Sequence, residues 1–186
     1  MRRLSAILLG CLFLFCGCGE KDGHLSEGIA FRSKLVQQNG CRFRAEITAD
    51  KGSDILRFCL DCEGDGQGNV SFVLTEPETL AGISGTISEA GGKITYDGMS
   101  VDFGLLLQDA IAPAAAPALL VNSWISGYML WGGKDGETYC MCCEQVLEGR
   151  SLEVESFFKN ELPFYAEVCY NGSRILEIQI IDFQYH

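Results

Sequence analysis

Between Ala110 and Gly133 the chain carries no charged residue over 24 consecutive positions, AIAPAAAPALLVNSWISGYMLWGG. A segment of that length and polarity has to leave water, either into a bilayer or into the rest of the protein. Pro113, Pro117, Asn122, Ser123, Ser126 and Gly127 interrupt it, and strand-like sequence flanks it on both sides, so burial within the protein is the better reading. The residues predict a helix that starts near Pro117, where proline is tolerated in the first turn, and runs to about Leu130. Leu120, Val121, Trp124, Ile125 and Tyr128 make its broadest face, and with apolar residues on nearly every side it needs an apolar surface to wrap it.

That surface is supplied by strands. From Cys41 to Ala49, Phe43, Ala45 and Ile47 alternate with Arg42, Arg44, Glu46 and Thr48, the period of a half-buried strand. The same period recurs at Leu56, Phe58 and Leu60, and again at Val70, Phe72 and Leu74 beyond the turn Gly64-Asp65-Gly66-Gln67-Gly68. Short alternating runs follow at 84–88, 93–96 and 100–103, separated by Gly91-Gly92 and Asp97-Gly98. After Gly133 come runs at 137–146, 151–158, 163–170 and 174–183, the last two joined by Asn171-Gly172, a type I′ hairpin signal. Ahead of the strands, Leu25, Ile29, Leu35 and Val36 fall near helical spacing between a capping Ser26 and a terminating Gly40. The fold class that results is mainly β: about ten antiparallel strands in a curved sheet, an incomplete barrel wrapped around a central apolar helix, plus an N-terminal helix. No linker or internal repeat divides residues 25–186, which read as a single domain.

The first 17 residues have a basic pair, Arg2 and Arg3, an apolar run from Leu4 to Phe15 and a small Gly17, and read as a secretory signal peptide. Phe15-Cys16-Gly17-Cys18 resembles a bacterial lipoprotein box, with Cys18 as the lipidation site that takes a diacylglycerol anchor and palmitate, although Phe15 stands where leucine is usual. Plain secretion and a retained membrane anchor are the alternatives. Lipidation would leave 169 residues with a net charge of −13, residues 18–24 serving as a lipid-anchored linker and the domain exported to the outer face of the bacterial cell membrane.

The order of these elements resembles the LolA-like family, which includes periplasmic lipoprotein carriers and lipid-anchored relatives in Gram-positive bacteria and mycobacteria. The segments that carry the resemblance are Val73-Leu74-Thr75-Glu76-Pro77, Ala81-Gly82-Ile83-Ser84-Gly85, Lys93-Ile94-Thr95-Tyr96-Asp97-Gly98, Ala166-Glu167 and the closing run 178–183. The resemblance implies a half-barrel whose concave face, plugged by helices, holds an acyl chain or another apolar ligand without covalent chemistry. Phe43, Phe58, Phe72, Tyr96, Trp124 and Tyr128 are the ligand-binding residues compatible with such a cavity; a filled core is their competing reading. On that second reading the protein is an interaction module that positions another envelope protein through its sheet edges or loops.

Composition narrows the chemistry. A net charge of −11 repels a phosphate backbone, so no nucleic-acid partner is expected. The two histidines, His24 and His186, stand apart from candidate nucleophiles, and no catalytic residue, enzyme activity or cofactor is expected. Ten cysteines fall to seven once Cys11, Cys16 and the lipidated Cys18 are set aside. Cys59 and Cys62 with Cys140, Cys142 and Cys143 invite a zinc reading, but strand residues three apart face opposite sides, so no metal site is assigned. Cross-strand disulfides or free buried thiols are the alternatives. Asp61, Glu63 and Asp65 imitate a calcium loop, yet its twelfth position is Phe72. Glu153 and Glu155 share the polar face of one strand, which ordinarily serves only to solvate a sheet.

Overall fold

The computed structural model describes residues 25–50, 55–88, 91–107, 110–147 and 149–186. The segment expected to be a signal peptide, the expected lipidation site Cys18 and the expected 18–24 linker lie outside them. Helix α1 (Leu25–Gln37) precedes strands β1 (Gly40–Asp50), β2 (Ile55–Asp65), β3 (Val70–Glu76), β4 (Ser84–Ser88), β5 (Gly91–Tyr96) and β6 (Met99–Phe103). A two-residue pair, β7 (Leu106–Leu107) with β8 (Ala110–Ile111), leads through a short 3₁₀ turn into helix α2 (Ala116–Ile125). Strands β9 (Tyr128–Asp135), β10 (Thr138–Leu147), β11 (Arg150–Lys159), β12 (Leu162–Tyr170) and β13 (Ser173–Tyr185) complete the chain.

Eleven strands form one antiparallel sheet in the order β6-β5-β4-β3-β2-β1-β13-β12-β11-β10-β9. The first meander starts at the centre and steps outward to β6; α2 carries the chain across, and the second meander returns from β9 to the centre. The seam is β1 against β13, with Ala45 opposite Ile180 and Ile47 opposite Ile178. β6 and β9 are not paired with each other, so the sheet stays open. The expected mainly β, helix-plugged half-barrel is therefore the observed architecture.

Alternation decides which face is dry. Phe43, Ala45 and Ile47 of β1, Leu60 and Cys62 of β2, Val70, Phe72 and Leu74 of β3, and Leu152, Val154 and Phe158 of β11 all lie in one core with α1 and α2. Within α2, Ala116 through Val121 and then Ser123 and Trp124 are buried, as its lack of charge required. Two glycines allow the close fit: a Cβ on Gly64 of β2 would meet both Val121 methyl groups at 3.1 Å, and one on Gly28 of α1 would lie 2.7 Å from Met141 Sδ.

The structure corrects the reading of both helices. α2 ends at Ile125, not near Leu130, because the amides of Ser126 and Gly127 both turn back to Asn122 O and Tyr128 starts the edge strand β9. Trp124 and Tyr128 thus do not share a helix face. α1 buries Gly28, Phe31 and Leu35, while Ile29 and Val36 remain 54% and 47% exposed. Gly28 suits that stripe, since a Cβ there would press on the Met141 side chain and the Tyr139 hydroxyl and make them shift.

The two helices are joined by one side chain. Arg32 of α1 donates from Nε to Trp124 O (2.6 Å) and from Nη2 to Ser123 O (3.1 Å) and Gly127 O (2.7 Å). The Ser123 and Trp124 carbonyls end a buried helix, Gly127 follows it, and the cation meets the negative end of the helix dipole. Replacing Arg32 by Ala should lower unfolding stability by about 3 kcal/mol, measured by urea titration, because charge-assisted bonds contribute about 1.5–3 kcal/mol each and the bare carbonyls stay buried. Arg32→Lys should recover only part of it, since one ammonium cannot span all three acceptors.

Candidate functional site

A cleft of 460 Å³ opens where α1 lies over the ends of β10, β11 and β13. Its floor is aromatic: Phe31 from α1, Tyr139 from β10, Phe158 from β11 and Tyr185 from β13. The rings pack edge to face or tilted, Phe31 with Phe158 at 4.7 Å and Tyr139 with Phe158 at 5.6 Å, so the floor is a continuous aromatic surface. Phe31 continues into the core through Trp124 at 5.5 Å. Lysines mark the rim: Lys34 sits 4.6 Å from the Tyr185 ring centroid, and Lys134 pairs with Glu27 at 2.8 Å. The β11–β12 turn closes one side, with Asn160 and Glu161 in the left-handed region at φ 51° and 65°.

The two phenols of the floor are held neutral. Burial pushes Tyr139, 6% exposed, from an ordinary 10.0 up to about 12, against the opposing effect of the Gly28 amide that donates to its hydroxyl at 3.1 Å. Burial also raises Tyr185 to about 12, with the Glu161 carboxylate adding to it. The cleft is thus an apolar slot with a lip of mixed charge, where Lys34 and Lys134 stand among Glu27, Glu137 and Glu161, a shape suited to an apolar chain with a polar head.

The six residues expected to line a cavity do not gather in one. Phe43 (4% exposed) and Phe72 (3%) belong to the core and also border a 560 Å³ hollow on β1–β5, while Trp124 (0%) lies in the packed interior, its Nε1 donating to Ser156 Oγ at 2.9 Å. Phe58 packs at the margin of the same core. Tyr96 and Tyr128 stand near opposite free edges, 53% and 72% exposed. Sequence reading missed Phe31, Tyr139, Phe158 and Tyr185. The available signal was Tyr139 and Phe158 on the apolar phase of their strands, four elements having to converge before that signal meant a cleft.

The other motifs resolve simply. Asp65 accepts from the amides of Gln67 (2.8 Å) and Asn69 (2.9 Å), which makes the calcium-like loop a hydrogen-bonded hairpin turn. Asp61 pairs with Arg44 at 2.8 Å. A hollow of 560 Å³ on the polar face of β1–β5 is bordered by this pair and by Arg42, already bonded to Gln184 at 2.6 Å. Cys62 and Cys143 face the interior while Cys59 lies on the polar phase of β2, and four strands separate β2 from β10, so the sequence-neighbour thiol pairs do not converge. All seven cysteines from Cys41 to Cys169 are unpaired thiols. Across strands, however, Cys142, Glu153 and Glu155 bring their donor atoms within 4.8 Å of one another. Burial, then the Glu167 and Glu153 carboxylates, raise the Glu155 carboxyl above its usual range. Among the described residues no helix is long and apolar enough to cross a membrane.

No protein-family model and no curated protein sequence matches the chain. Solved structures do match in fold. A domain described as an outer membrane lipoprotein-sorting protein, from Vibrio parahaemolyticus, superposes with a TM-score of 0.51 at 8% identity, over 90% of this chain and 94% of that one. A LolA superfamily protein from Nitrosomonas europaea gives a TM-score of 0.47 at 11% identity, over 86% of this chain and 93% of that one. The fold is LolA-like.

The neutral floor has a measurable signature. A phenol whose pKa is raised by folding contributes stability below its unfolded value of about 10 and loses it as pH rises toward about 12. Absorbance titration of phenolate should show Tyr139 and Tyr185 ionising late, each Tyr→Phe variant removing one late equivalent. Tyr139→Phe should also cost about 1–3 kcal/mol below that window, because the buried Gly28 amide loses its acceptor.

Proposed function

We propose that the protein is an exported envelope lipoprotein, anchored to the outer face of the membrane through Cys18, that binds an acyl chain or similar apolar ligand without covalent chemistry. The observation that carries this reading is the aromatic cleft between α1 and the sheet, whose 460 Å³ falls within the roughly 300–1,000 Å³ of small-molecule sites. The driving force is apolar area withdrawn from water, about 25 cal/mol per Å². Phe31, Tyr139, Phe158 and Tyr185 receive the chain, and Lys34 faces its carboxylate or phosphate head. The LolA-like fold supports a carrier or lipid-holding role, since a similarly folded domain is described as lipoprotein-sorting. The binding place moves from the centre of the half-barrel, where Trp124 and its neighbours fill the space, to its mouth.

A second reading, an interaction module for another envelope protein, is favoured by the free edge β6, where Met99 and Val101 are both 67% exposed. An unpaired apolar strand can accept a strand from a partner.

The two separate on one titration. A naturally fluorescent polyene fatty acid, added to the full chain in a non-binding detergent, should show saturable binding. Ala30→Trp, a substitution at an exposed helix position on the cleft wall, should weaken it by at least about tenfold through loss of space, and Lys34→Glu should weaken a fatty acid more than its methyl ester. Binding that ignores both substitutions would remove the cleft from consideration.

A further inference from the structure

The polar face of β10–β12, away from the helices and from the cleft, holds soft and hard donors side by side. Register places Cys142 opposite Glu155, and Glu155 opposite Glu167 on the next strand; Glu153 stands between Glu144 and Cys169. Like charges facing across strands are destabilising. Arg174 answers Glu167 and Glu177 at 2.8 and 2.6 Å, but among the described residues Glu153 and Glu155 have no ion-pair partner. Cys142 is 0% exposed, with Trp131 opposite it on β9. Its sulfur has no hydrogen-bond partner among the described residues, whereas Cys62 donates to Leu60 O and Cys143 lies 3.9 Å from Arg32 Nη2. A buried, unpartnered sulfur is thus aimed at two carboxylates, Glu153 and Glu155, that have no ion-pair partner among the described residues, and the three donor atoms already lie within 4.8 Å of one another.

We propose that Cys142 Sγ and one oxygen each of Glu153 and Glu155 bind a thiophilic divalent cation of the zinc class. Zinc takes sulfur at about 2.3 Å and carboxylate oxygen at about 2.0–2.2 Å in a tetrahedron, which sets its ligands about 3.5 Å apart. Closing from 4.8 Å or less is within reach of glutamate rotamers. The thiolate distinguishes this site from an all-oxygen calcium or magnesium site. On binding, the Cys142 S–H proton passes to solvent as the sulfur–metal bond forms. Three protein donors leave the fourth position to water. Cys140 lies one residue pair further along β10 and Cys169 is opposite Glu153, which adds two soft donors to the same face. The bound ion would clamp β10 to β11, next to the open edge β9, without using a cleft residue.

Cobalt(II) is the probe, because thiolate ligation gives it a charge-transfer band in the near ultraviolet that oxygen ligands do not. The reduced full chain, titrated in detergent, should bind one equivalent with that band, and zinc should displace it. Cys142→Ser should abolish the band, and Glu155→Gln, a change on the partly exposed polar face that keeps the fold, should weaken binding by about 10–100-fold. Cys59→Ala, five strands away, should change nothing. No band at saturating cobalt, cobalt bound without a band, or a band that survives Cys142→Ser would each overturn the assignment, the last by placing the metal on other thiols.

Discussion

A buried helix must end somewhere, and the last carbonyls of α2 end where water cannot reach them. Arg32 resolves this by donating to Ser123, Trp124 and Gly127 at once. Much else follows from that contact. It fixes α1 across the C-terminal end of α2, which sets Phe31 against Trp124 and Phe158 and brings Gly28 to the Tyr139 hydroxyl. The cleft is the space left between a helix so placed and the strand ends beneath it. The shape of the cleft at the mouth of the half-barrel is therefore coupled to how the crossing helix is terminated.

The filled centre has its own physical reason. Trp124 touches Phe31, Phe43 and Phe183, each pair within 6 Å, and its indole N–H has a buried acceptor in Ser156. A ring with its polar atom satisfied and aromatic neighbours on several sides has no reason to move for a ligand. In such an arrangement the centre of the half-barrel is packed core, and the open space lies at its rim.

The sheet was legible in the sequence because period-two alternation and turn chemistry are local. Asp97-Gly98 and Asn171-Gly172 both adopt the left-handed pairs their residues favour, at φ 48° and 77° and at φ 50° and 73°. The length of α2 was not legible, since Tyr128-Met129-Leu130-Trp131 suits a buried helix or an edge strand equally, and only pairing with β10 decides it. The buried face of α1 was misread for a similar reason: Ile29 and Val36 look like the core, but a sterically bare Gly28 is what the sheet can approach. The cleft was least legible of all. Phe31 and Tyr185 are contributed by the first helix and the last strand, and no spacing rule links residues so distant along the chain. The mixed donor group on β10 and β11 shows the same limit, because Cys142 and Glu155 become neighbours only through register.

The seam of the sheet joins β1 to β13, the first and last strands among the described residues. During synthesis the first meander can assemble through near neighbours, yet Phe43, Ala45 and Ile47 must wait for almost the entire chain before Ile178 and Ile180 arrive to flank them. Long-range closure of this kind is slow and leaves an apolar strand edge exposed in the interim. For this topology the hazardous moment is the interval before β13 emerges, when the first meander shows two edges, β6 and β1, and only the β1 edge must be kept open for a later strand.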